Sequence, residues 1–157
     1  MASSAKSKKP YTDLSDIEKI TKNWNKISGL MQREEWSSAI VRAATATEIA
    51  ANLVIREEFV DGRGLPNDLV NHFLRWANGI QGKFDKLILP VTKGTSTHAQ
   101  LKKLKARVED INLERNSVVH SGSFKNKPQA KKVITEARSI IKELVDIYYD
   151  GFDLKKI

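Results

Sequence analysis

The sequence predicts an all-α protein, a bundle of four to five helices, and three observations carry that expectation. Apolar residues recur at alternating three- and four-residue spacings along most of the chain, the period of a helix with one buried face. Strand-like alternation never extends beyond a few residues. Only 8 Gly and 4 Pro occur in 157 residues, so little of the chain is barred from regular structure.

The first helix is placed at about 15–32. Ile17, Ile20, Trp24, Ile27 and Met31 make its stripe, and Ser15 with Glu18 has capping-box spacing. A second helix is expected from about Glu34 to Phe59. Its centre, SAIVRAATATEIAANLVI, is rich in small side chains that let neighbouring helices approach closely, and between Ser38 and Ile55 its only charges are Arg42 and Glu48. The break DGRGLPN follows. A third helical stretch begins near Pro66 or Asn67, with Leu69, Val70, Phe73, Leu74, Ala77 and Ile80 on its apolar face. Gly79 and Gly82 either bend it or let it run on through Phe84, Leu87 and Ile88 until Pro90 and TKGTST end it. The fourth helix, about 97–120, has the buried line Leu101, Leu104, Val108, Ile111, with Gly122 placed to terminate it. Pro128 starts the last helix, about 128–149, whose face is Val133, Ile134, Ala137, Ile140, Ile141, Leu144, Val145 and Tyr148.

No internal repeat or linker divides the chain, so residues 14–157 are read as one domain behind a disordered basic tail, 1–13, that includes Lys6, Lys8 and Lys9. Net charge is +8 with a pI near 9.7. That surplus favours polyanions, nucleic acid first, although many basic proteins bind none. With no cysteine, disulfides and thiolate ligands are excluded. The apolar runs look too short to span a bilayer and the N-terminus lacks a secretory signal, so the expectation is a cytoplasmic protein away from membranes.

The segment LERNSVVHSG carries the chemistry. Continuing the buried line of the fourth helix leads to positions 115 and 118. Val118 fits; Arg115 does not, because a guanidinium keeps its proton and must find an anion or water. Three readings compete: Arg115 snorkels at the wet end of the bundle, it pairs with Glu48, or it holds a phosphate. Asn116 and His120 are four apart and share a face. His120 is five from Arg115 and meets it only if the helix end deviates or the arginine stem reaches round. At a helix C-terminus the protonated imidazole is favoured, and a histidine moving between charged and neutral forms suits acid–base work.

RNSVVH at 115–120, then a polar loop and an amphipathic closing helix, resembles the HEPN superfamily, helical-bundle domains common in prokaryotic defence and toxin systems. Its hallmark is Arg, a polar residue, a few variable residues and His. The likeness runs from about Leu14 to Tyr148, with Glu48 similar in placement to an acidic position of many members. The resemblance implies a metal-independent endoribonuclease acting as a homodimer. His120 would do acid–base work, Arg115 would stabilise phosphoryl charge, Asn116 would orient the histidine or the phosphate, and Glu48 would support them. The alternative it allows is a catalytically inactive module, an antitoxin or regulator, that binds nucleic acid or a protein partner. RNA is the expected substrate. A cognate antitoxin or nucleotidyltransferase protein is the expected partner of a toxin.

The basic side chains Lys125, Lys127, Lys131 and Lys132 are candidates for RNA contacts; a solvated surface run is the plainer reading. His72 is read as a structural histidine and His98 as exposed. Neither makes metal-ligand spacing with His120, so neither metal nor cofactor is expected. The Trp and Tyr residues fall mostly on apolar stripes and are read as core.

Overall fold

The computed structural model describes residues 8–157, and among them there are helices, turns and no strand. The helices are α1 (Asp16–Gln32), α2 (Trp36–Arg56), α3 (Asn67–Trp76), α4 (Gly79–Lys83), α5 (Leu89–Thr92), α6 (His98–Ser121) and α7 (Lys127–Asp146). The capping box of Ser15 and Glu18 opens α1 in both directions, as its spacing predicts. A second box, Asn126 with Gln129, opens α7 beside Pro128.

α2 is the axis of the bundle, packed by α1, α6, α7 and α4. Ala39, Ala43, Ala46, Ala50 and Ala51 are fully buried, so their small side chains set the close approach of its neighbours. Ile20, Trp24 and Ile27 from α1, Leu101, Leu104, Val108 and Ile111 from α6, and Ile140, Ile141 and Leu144 from α7 complete one continuous core. Each fully buried Ile or Leu contributes about 1.5–3 kcal/mol relative to exposure.

Several expectations need correction. α2 begins at Trp36, not Glu34, because Glu34 turns with φ 59. It runs on as a π-turn, Glu57–Asp61. The third stretch is neither bent nor continuous but broken: Ala77 and Asn78 leave helical geometry and Gly79 takes φ 74. Leu69 stays exposed on α3. Pro90 does not end the helix. A π-turn at Phe84–Ile88 precedes it, and the widened turn spares the ring its clash four residues back. Among the described residues, by length and composition, one helix, Trp36–Asp61, is long and apolar enough to cross a membrane, and 56% of its apolar window is buried in the bundle.

At the N-terminus, Tyr11–Asp13 form a 3-10 turn rather than tail, and the Asn23 amide donates to the Tyr11 hydroxyl at 2.9 Å. Lys6 and the rest of 1–7 lie outside the described residues. The C-terminal segment folds back on α1 and α7: Trp24 Nε1 donates to the Lys155 carbonyl and Arg138 Nε to that of Leu154.

Candidate active site

Arg115 lies where periodicity places it, next on the inward line after Leu101, Leu104, Val108 and Ile111, and is half-buried. Five residues on, His120 sits about 140° round an ideal helix. The end of α6 is not ideal. Gly122 takes φ 63, and its N–H reaches five residues back to the Ser117 carbonyl, where Ser123 N–H also bonds. Glycine suits that left-handed position. The loop beyond is pinned to the start of α2, Lys125 N–H donating to Ser37 Oγ at 3.0 Å.

With the turn widened and the arginine stem long, Arg115 and His120 line one cleft of about 360 Å³. α2 contributes Thr45 and Glu48, the start of α4 contributes Asn78 and Gly79, and α6 adds Asn112. Ile80 and Ile111 form an apolar floor.

Glu48 does not pair with Arg115. Its Oε1 accepts from Lys83 Nζ at 2.8 Å. The Lys83 side chain is only 6% exposed and that of Glu48 39%. A buried ammonium is tolerable only when paired, so Lys83 fixes the carboxylate from below. Arg115 instead donates through Nη1 to Asn116 Oδ1 at 3.1 Å. Among the described residues no carboxylate lies within ion-pairing distance of it. A neutral amide orients a guanidinium without cancelling its charge. With Glu48 paired to Lys83, Arg115 is a cation without an ion-pair partner among the described residues, in a cleft that an exposed imidazole also lines.

Of the sequence-derived candidates, Arg115, His120 and Glu48 come together. Asn116 joins them indirectly and orients the arginine rather than the histidine. Lys125 is corrected: its Nζ pairs with Glu114 at 3.0 Å and its side chain is largely covered, so it is not a free phosphate contact. Lys127, Lys131 and Lys132 are exposed on the first turns of α7 but do not line the cleft. His98 is half-buried rather than exposed, with Nδ1 3.2 Å from the buried Thr92 hydroxyl. His72 is exposed beside Arg75. Trp24 is core as expected, whereas Trp76 is exposed under the Lys86 ammonium.

Lys83, Asn78 and Asn112 were missed. Lys83 carried the signal that marked Arg115, a cation on an apolar line, here between Ile80, Phe84 and Leu87. No three His, Asp or Glu side chains gather to hold a metal ion among the described residues. Compared with known proteins, the chain matches no family model, no curated protein and no solved structure.

Proposed function

We propose that this protein is a metal-independent endoribonuclease of a toxin or defence type, acting in the cytoplasm as a homodimer. The observation that carries the reading is one cleft lined by both a histidine and an arginine that, among the described residues, pairs with no carboxylate. Arg115 receives a non-bridging phosphate oxygen and stabilises its growing charge. His120 accepts the 2′-hydroxyl proton. The 2′-oxygen then attacks phosphorus, the P–O5′ bond breaks, and a second imidazole protonates the departing 5′-oxygen. A second copy of the chain supplies that imidazole. Support for pairing comes from the row Leu113, Asn116, His120, spaced by three and four residues on the solvent side of α6. Leu113 is 65% exposed, and Phe124, just beyond, is 98% exposed.

Cleavage of unpaired RNA in excess chelator is the test. Wild type should leave a 2′,3′-cyclic phosphate and a 5′-hydroxyl, and DNA of the same sequence should survive because it lacks the nucleophile. His120→Ala should abolish cutting with RNA binding largely kept. Arg115→Ala should weaken both, the contact being worth about 1.5–3 kcal/mol. In a bacterial host, expression should slow growth and His120→Ala should relieve it. RNA binding without cutting, alike in wild type and His120→Ala, would replace this reading with that of a non-catalytic RNA-binding module. Equal cutting of DNA, or loss of activity to chelator, would overturn the chemistry.

A further inference from the structure

The cleft at Arg115 does not end at Thr45. That threonine also lines a neighbouring cleft of about 460 Å³ with Ser37, Ser38 and Val118, and Leu30 and Arg42 line both that cleft and a third, of about 320 Å³, between α1 and α2. The three adjoin through these shared residues, a row of clefts along the N-terminal half of α2. Arg42, Thr45 and Glu48 mark it at three-residue steps, about 4.5 Å each.

At its far end Arg42 repeats the arrangement of Arg115. Its Nη1 donates to Asn23 Oδ1 at 2.9 Å, and no carboxylate lies within ion-pairing distance of it among the described residues. Asn23 is only 3% exposed and is itself fixed. Its Nδ2 donates to the Lys19 carbonyl at 2.8 Å and to the Tyr11 hydroxyl at 2.9 Å, which turns its Oδ1 toward Arg42. A buried amide thus aims a guanidinium and leaves its charge unspent. Exposed Lys26 stands on the same rim.

We propose that Arg42 is a second phosphate-binding position, and that the groove leads a single RNA strand from Arg42 past Thr45 to the cleft of Arg115 and His120. The inference rests on the reading of that cleft as an RNA site. A row of linked clefts fits a chain rather than a compact ligand. Its lining alternates hydroxyls (Ser37, Ser38, Thr45) with apolar side chains (Leu30, Val41, Val118), which suits riboses and base faces between two cationic ends.

The test measures binding of labelled oligouridylates in the His120→Ala background, so that nothing is cut. A dinucleotide fills only the cleft; a decanucleotide reaches Arg42. Arg42→Gln should weaken the decanucleotide about tenfold, the loss of one charge-assisted contact, and leave the dinucleotide unchanged. The slope of log affinity against log salt should fall by about 0.7 for the decanucleotide alone. Lys26→Gln, on an exposed side chain, should act in the same direction more weakly. It also serves as the independent variant should Arg42→Gln lower the melting temperature. Equal loss at both lengths, no loss at the longer, or tighter binding of a duplex than of the single strand would overturn the proposal. The two readings fail separately. Length-dependent binding through Arg42 without cleavage by the wild type sinks the nuclease and keeps the groove. Cleavage with a decanucleotide affinity indifferent to Arg42 and Lys26 does the reverse.

Discussion

Lys83 and Arg115 reach toward the same cleft, which offers them one carboxylate, and Lys83 holds it. Among the described residues the buried ammonium has no other ion-pair partner, while the half-buried guanidinium has Asn116, so Arg115 is left open. Replacing Lys83 with methionine keeps the volume and releases Glu48, whose best remaining partner is Arg115. RNA affinity should then fall about tenfold. In Lys83→Met/Glu48→Gln the competing charge is gone and affinity should return. Anisotropy titration of the two variants checks this; a double variant as weak as the single would mean that Lys83 acts only through packing. Stability should change by under about 2 kcal/mol, since an apolar isostere of a buried charge is close to neutral and Glu48 can rehydrate. Arg115 and His120 were legible because each breaks a pattern, one an apolar line and the other a helix end. Lys83 broke a pattern too, but Gly79 and Gly82 obscured the helical register on which it stands. The Lys125–Glu114 pair closes across a loop, and no periodicity reports a contact of that kind.

Where α2 ends, its π-turn presents two carboxylates to the end of α7. Tyr148 Oη donates to Glu58 Oε1 at 2.5 Å, and Tyr149 Oη donates to Glu57. The bond to Glu57 is the main cause that pushes the Tyr149 hydroxyl up to about 12, so it stays a donor throughout the working range. Burial raises the Glu57 carboxyl above its ordinary 4.5, and Asp61 nearby adds to the effect, against the lowering bond from Tyr149. A carboxyl raised in the folded state binds its proton more tightly there than in the unfolded chain. Its contribution to stability is therefore full below about 4.5 and is lost as pH rises through the raised value. Glu57→Gln keeps the acceptor for Tyr149 and removes the titration. The melting temperature of wild type minus that of Glu57→Gln should be highest at and below pH 4.5 and decline toward neutrality; parallel curves across that window would refute the assignment. Most helices and the Ser15–Glu18 capping box could be read from spacing, since a cap is a local hydrogen-bond pattern; the Asn126–Gln129 box emerges only in the structure. The π-turns could not. The one at 57–61 answers a tertiary demand, the tyrosine anchor, and the one at 84–88 has no signature in spacing beyond the Pro90 that follows it.

Over the whole molecule, a net charge of +8 and several exposed apolar side chains pull self-association in opposite directions. Two copies meeting at Leu113 and Phe124, beside His120 in the sequence, would bring cationic side chains of the two copies together, and their repulsion must be offset by apolar burial. A Phe side chain taken out of water contributes about 1.5–3 kcal/mol, so Phe124 from each copy is a substantial share of any such contact. Phe124 and Leu113 project from the fold, so changing both to serine should cost little folding stability. The Leu113→Ser/Phe124→Ser variant should melt within a few degrees of wild type, be monomeric by light scattering at high micromolar concentration, and bind RNA while failing to cut it. Salt separates the forces further. Raising ionic strength shortens the screening length from about 10 Å at 0.1 M, which relieves repulsion between cationic protomers and so strengthens the dimer. The same change weakens RNA binding through counterion release. Dimer stability and RNA affinity should therefore move in opposite directions with salt, and only the former should depend on Phe124. A wild type that stays monomeric at those concentrations, or a dimer that survives both serines, would remove the paired cleft and with it the second imidazole on which the cleavage scheme depends.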